Sequence, residues 1–221
     1  MDALTTEREQ TAELASARAY RVLEKLIVTL ELAPGAVVTE RVLIERLSLG
    51  RTPVREAIQR LTWEGLLEVR PRAGIVVAPL NAGDWLRVID ARRGVEMVLA
   101  RSAARFLTDE TAVHFQATGV AMHEAVIAKD VLGFLEADKS LDEALARAAD
   151  NSFAARVAAP LQTHSRRFWY RFQSGTGLAE SAANHVALIR AILEKDEDQA
   201  GEQADRLMSL LRLHAQAAAM R

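Results

Sequence analysis

The chain has 221 residues, half of them apolar and about a quarter charged, with a formal net charge of −2, a length that fits two domains of about 70 and 140 residues better than one. It contains no cysteine, which excludes disulfides and thiolate metal sites, and no apolar run of about 18 residues that would cross a membrane. The charge is uneven: residues 1–14 carry one Arg against four acids, residues 15–80 carry ten Lys and Arg against seven acids, and the remainder seventeen against nineteen. The basic excess therefore sits in residues 15–80, the candidate segment for contact with a polyanion. The N-terminus has no basic-then-apolar leader pattern, so the expected location is the cytoplasm.

In chain order, residues 1–14 are polar without a sustained stripe and are expected as a flexible arm or an extension of the first helix. Val22, Leu23, Leu26, Ile27 and Leu30 then recur at helical spacing, and Pro34-Gly35 supplies the turn that ends that helix. A second short helix follows Thr39 and buries Leu43, Ile44 and Leu47. After Leu49-Gly50, Thr52-Pro53 reads as the start of a third, because Thr caps free backbone amides and Pro suits a first helical position. There Val54, Ile58 and Leu61 form the apolar stripe, leaving Thr52, Arg55 and Gln59 together on another face. Leu67-Glu68-Val69 and Ile75-Val76-Val77 are rich in strand formers and flank Arg70-Pro71-Arg72-Ala73-Gly74, which predicts a two-stranded hairpin. Pro79 and Asn81 to Gly83 mark a boundary. The domains are thus expected at 15–80 and 84–221. Beyond the boundary the pattern predicts only amphipathic helices, near 84–107, 109–128, 130–149, 152–174, 178–195 and 197–219, with breaks at Thr108-Asp109, Asp150-Asn151 and Gly175 to Gly177. The fold class is mainly α: a winged helix-turn-helix of three helices and a small β-hairpin, then an all-α antiparallel bundle of six to seven helices.

The winged helix-turn-helix pattern carries a chemistry of its own, since the helix after the tight turn enters the major groove of DNA. Arg51 and Arg55, four residues apart at its leading end, are placed to meet phosphate or to pair bidentately with guanine, with Gln59 one turn further on. Arg70 and Arg72 at the hairpin tip extend the surface toward the adjacent backbone or minor groove. Any one of these arginines alone reads equally as a solvated surface residue; their joint placement favours DNA.

Residues 22–80, with Leu32-Ala33-Pro34-Gly35, Thr39-Glu40-Arg41, Arg51-Thr52-Pro53-Val54-Arg55-Glu56-Ala57, Leu61, Glu64-Gly65-Leu66 and Gly74, resemble the DNA-binding domain of GntR-family regulators. The resemblance implies that Arg41, Arg51, Arg55 and the wing residue Gly74 contact an operator. Gly50 departs from the family, which often has Ser there, and the cap or phosphate interaction of that hydroxyl is worth about 1 kcal/mol. The helical remainder resembles the FCD effector domain of the FadR-type subgroup, through Asp90-Ala91-Arg92-Arg93-Gly94-Val95-Glu96, the segment from Asp138 to Asn151, and His185-Val186-Ala187-Leu188-Ile189-Arg190-Ala191-Ile192.

In many such domains an Asp and three His hold a divalent ion that helps bind a small carboxylate. Carried over, the positions fall on Asp138, Asp142, His185 and Leu207, so the second ligand is Asp in place of His and the fourth cannot ligate. Asp138, Asp142 and His185 still offer two oxygens and a nitrogen to a hard ion, with His214 further along the last helix. No cofactor is required by this reading, and a divalent ion stays open. Without metal, a buried Asp pair is expected to have one carboxylate pKa raised. Arg92 matches a position that faces the effector carboxylate in relatives; an exposed or Glu96-paired arginine is the alternative. Arg166, Arg167, Trp169 and Tyr170 are read mainly as packing.

The expected protein is therefore a transcription regulator and not an enzyme. It binds pseudo-palindromic double-stranded operator DNA as a homodimer and is modulated by a small molecule, an organic acid, held by Arg92, Asp138, Asp142 and His185. The competing reading is a metal-dependent enzyme built on Asp138, Asp142 and His185. It lacks a Ser-His-Asp order, a Cys nucleophile, a phosphate-cradling Gly loop and an HExxH pattern.

Overall fold

The computed structural model describes residues 3–173 and 177–220, which form two compact units, Met1–Leu80 and Asn81–Arg221. The first holds α1 (Ala3–Val28), β1 (Val37–Val38), α2 (Glu40–Leu47), α3 (Arg51–Trp63), β2 (Leu67–Arg70) and β3 (Gly74–Val77). The stretch expected as an arm or helix extension continues α1 from Ala3, in keeping with its Ala, Leu, Glu, Gln and Arg content. The helix stops earlier than Pro34-Gly35. Leu30 turns left-handed at φ 59° and the Leu32 amide donates back to the Leu26 carbonyl at 2.9 Å, closing the end of the helix. Pro34-Gly35 instead forms a separate turn, closed by Ala36 N–H on the Ala33 carbonyl at 3.0 Å with Gly35 at φ 77°.

That turn delivers Val37-Val38 into a third strand, so the sheet has the order β1-β3-β2 in place of the expected two-stranded hairpin. Both pairings are antiparallel, with Val37 opposite Val76 and Leu67 opposite Val77. A two-residue strand has no period to detect, and only its partner β3 defines it. Leu23, Ile27, Leu43, Val54, Leu61, Leu66 and Val77 fill one core beneath the helices and the sheet.

Thr39 caps α2, accepting the Val42 amide at 3.3 Å. Thr52 does not cap α3: the helix begins at Arg51 with Gly50 as its N-cap and no side-chain cap bond. Pro53 is tolerated in the first turn because the first amides of a helix have no intrahelical partner to lose.

The second unit is helical throughout its described residues: α4 (Ala82–Arg105), α5 (Asp109–Ala128), α6 (Val131–Ala148), α7 (Ser152–Phe172), α8 (Gly177–Leu193) and α9 (Glu197–Ala219). The predicted break at Gly175 to Gly177 lies outside the described residues except for Gly177. Side-chain caps set most starts. Asn81, Thr108, Asp130, Asn151 and Asp196 each accept a backbone amide from the first turn of the helix that follows. α4 runs against α6, α7, α8 and α9 and is the spine of the bundle. Its Trp85 is fully buried, stacked on Phe168 at 6.0 Å, and donates Nε1–H to Ser165 Oγ at 3.3 Å.

Candidate functional site

In the first unit the amphipathic period of α3 decides what solvent meets. Val54, Ala57, Ile58 and Leu61 are buried, while Arg51, Thr52, Arg55 and Gln59 are exposed. Arg51 and Arg55 share one partner: Glu40, the first residue of α2, places Oε1 3.4 Å from Arg51 Nε and Oε2 2.8 Å from Arg55 Nε. A single carboxylate thus holds both guanidinia, an arrangement between helices that spacing along α3 does not reveal. Arg41 is exposed and lies 3.6 Å from Glu45 on its own helix.

At the hairpin tip Arg70 is exposed and paired with Glu68 at 2.9 Å, and exposed Arg72 adopts φ 65°. Gly74 sits at φ +108°, and a Cβ there would lie 2.9 Å from the Val38 carbonyl oxygen. Both facts require glycine. Gly74→Val is therefore expected to cost the first unit about 1–3 kcal/mol by forcing strain or parting β1 from β3. Chemical denaturation of the full chain measures the destabilisation.

In the second unit α4, α6, α7, α8 and α9 line a narrow cavity, with Arg92, Asp138, Arg166 and His185 among its polar residues and Phe134 and Trp169 among its apolar ones. His185 Nε2 lies 2.8 Å from Asp138 Oδ1 and its Nδ1 lies 2.6 Å from the Ser181 carbonyl oxygen, so both ring nitrogens face acceptors. Phe134 meets the imidazole edge-on at 5.6 Å. Asp142 Oδ2 accepts from Arg166 Nη1, which also lies 3.6 Å from Asp138 Oδ2, while Arg166 Nη2 donates to Thr163 Oγ1 at 3.0 Å. Arg92 and Glu96 are both buried and paired, Nε to Oε1 at 2.9 Å, and Gln162 Nε2 donates to the same oxygen at 3.0 Å. Of the two readings weighed for Arg92, the Glu96-paired one is present, and the residue still lines the cavity.

The pKa values of the two aspartates move in opposite directions. Burial pushes the Asp138 carboxyl up, but the hydrogen bond and charge of His185, helped by Arg166 and Arg92, outweigh it and hold it low. Asp142 is pushed above the usual carboxylate range by burial, which prevails over Arg166 with help from the charges of Asp138 and Glu96. His185 is raised: burial opposes its charge, but its pairing with Asp138 prevails.

Asp138, Asp142 and His185 are thus brought together, whereas the other positions weighed for an ion are not. Leu207 is buried and His214 Nε2 turns toward Glu180 at 3.7 Å. Among the described residues no group of three or more His, Cys, Asp or Glu has the geometry to hold a metal ion. The Asp138 oxygens face His185 and Arg166, so the donor set does not fit an ion as it stands. Arg166 is the residue that reading the sequence undervalued. The signal available was a pair of acids expected in the core, which demands a nearby cation. No helix among the described residues is long and apolar enough to cross a membrane.

Residues 15–77 match the model of the bacterial regulatory proteins, gntR family, and residues 87–210 match the FCD domain. The chain is 26% identical over 180 residues to the HTH-type transcriptional repressor RspR of Escherichia coli (strain K12), covering 81% of this chain and 79% of that protein. It is 28% identical over 204 residues to a probable D-xylose utilization operon transcriptional repressor of Paenarthrobacter nicotinovorans, covering 92% and 88%. Among solved structures, E. coli McbR/YncC superposes with a TM-score of 0.75 at 20% identity, covering 88% of this chain and 93% of that one, a likeness of fold.

Proposed function

We propose that this chain, which belongs to the gntR family of bacterial regulatory proteins and carries an FCD domain, is a transcription regulator whose operator binding is set by a small organic acid held in the helical unit. The observation that carries the DNA half is the exposed Arg51, Thr52, Arg55 and Gln59 face of α3, backed by an apolar stripe that anchors it. In this reading α3 enters the major groove, Arg41 and the Arg70-Arg72 tip meet phosphates, and Gly74 lets the wing backbone approach the minor groove. The cavity lined by Arg92, Asp138, Arg166 and His185 supports the effector half, with Asp142 one turn beyond. Its guanidinium N–H groups suit a carboxylate and its aromatic residues suit a short apolar body. Effector shifts DNA binding by the ratio of its affinities for the DNA-competent and released arrangements.

The test is a footprint on the DNA upstream of the gene, followed by a thermal-shift screen of small organic and sugar acids. Expected are protection of a pseudo-palindrome and at least one acid that both raises the melting temperature and changes operator affinity. Absence of any protected site would sink the DNA half. No observation favours the metal-dependent enzyme.

The homodimer reading draws on α5. Its inner residues Phe115, Thr118, Met122 and Ala125 are buried, yet Val113, Val120 and Ile127, seven residues apart, form an exposed apolar stripe with Ala117 beside it. A helix apolar on both sides is normally covered on both. Val120→Glu is expected to convert a dimer at micromolar concentration into monomer in sedimentation, with the far-UV spectrum unchanged; a dimer that persists would place the subunit interface elsewhere.

A further inference from the structure

The chemistry of Asp138, Asp142 and His185 is that of a donor set for a hard divalent cation, but the space between the two carboxylates already holds a cation. Arg166 is buried, its Nη1 touches Asp142 and lies 3.6 Å from Asp138, and its Nη2 is fixed on Thr163 at 3.0 Å. Guanidinium is protonated at every accessible pH and presents its N–H groups in a rigid plane. Arg92 brings a second permanent cation to the same cavity. A dication entering between Asp138 and Asp142 has to push Arg166 away from both carboxylates while its side chain remains inside the core. Separating a buried guanidinium from its counter-charges is costly.

We infer that this pocket works without a divalent ion, the guanidinium of Arg166 being the built-in cation that joins α7 to both aspartates of α6 and, through Asp138, to His185 of α8. One consequence rests on the effector reading above: an organic acid here meets guanidinium N–H groups with no bridging ion, so its binding survives chelators.

The test uses the full chain stripped with EDTA and titrated with Zn²⁺ or Mn²⁺ alone, read by melting temperature and by metal content after desalting. The wild type is expected to retain far less than one equivalent and to show no melting shift. Arg166→Met, which removes the guanidinium set between the two carboxylates, is expected to melt lower and to be raised again by Mn²⁺ or Zn²⁺, a rescue abolished in the Arg166→Met, Asp138→Asn double variant. Arg166→Lys keeps a charge in place and is expected to remain unresponsive to either ion. One equivalent of metal in the wild type, absent from Asp138→Asn, would overturn the inference, and this titration decides even where Arg166→Met does not fold. A chain that takes up neither ion and responds to no organic acid supports the inference while removing the effector reading, so the two failures are distinguishable.

Discussion

Arg51→Ala and Arg55→Ala are each expected to weaken operator binding by about 1–3 kcal/mol, roughly 5- to 150-fold in Kd, without changing the stability of the fold. Both side chains are largely exposed and their pairing with Glu40 is a surface ion pair, which contributes little to folding. The double variant should fall short of the sum, because one carboxylate holds both groups and each single change lets Glu40 close on the arginine that remains. Lysine substitutions separate the roles. An arginine that meets phosphate tolerates replacement by lysine with only modest weakening, whereas bidentate pairing to guanine does not. Fluorescence anisotropy on the footprinted site, repeated across a salt series, reads both effects, and removing one phosphate-binding side chain lowers the salt slope by about 1. Unchanged affinity in both single variants would move the DNA-reading surface away from α3.

The largest stability effect is expected from Glu96→Ala, at about 3–5 kcal/mol. Glu96 lies inside the bundle with one oxygen accepting from Arg92 and Gln162. Removing it leaves a buried guanidinium without its hydrogen-bonded counter-charge and a buried amide without its acceptor. Each is costly where water cannot enter. Against a typical domain stability of about 5–15 kcal/mol this is a large fraction. Glu96→Gln should cost less, since it keeps an acceptor oxygen for Arg92 while removing the charge. Urea denaturation followed through Trp85 and Trp169, both buried in the same unit, measures the difference. A Glu96→Ala effect below that of an ordinary surface substitution would mean that Arg92 finds another anion, and Asp142 is then the first to examine.

Much of the bundle was legible because its helices are long and their starts are marked by capping side chains. Thr108 and Asn151 accept first-turn amides at breaks the sequence advertised. The departures fell where tertiary packing overrides local preference. Thr52-Pro53 reads as a helix start, yet Gly50 in an extended conformation lets the helix begin at Arg51. Val37-Val38 becomes a strand only because β3 offers it a free edge. The acidic half of the cavity was visible as Asp138, Asp142 and His185, but Arg166 was not, since it meets Asp142 across 24 residues of sequence and a change of helix. Spacing along one helix reports which residues share a face; it says nothing about what another helix brings to that face.

The shared hold of Glu40 on Arg51 and Arg55 also bears on selectivity for the proposed operator. Any duplex that approaches α3 must first break a pairing the free protein already enjoys, and a duplex of the wrong sequence offers only phosphates in return. A matching site adds base edges that replace both interactions with Glu40. Glu40 is thus expected to oppose every duplex by the same modest pairing, and a site whose base edges engage both arginines offsets that loss better than phosphates alone.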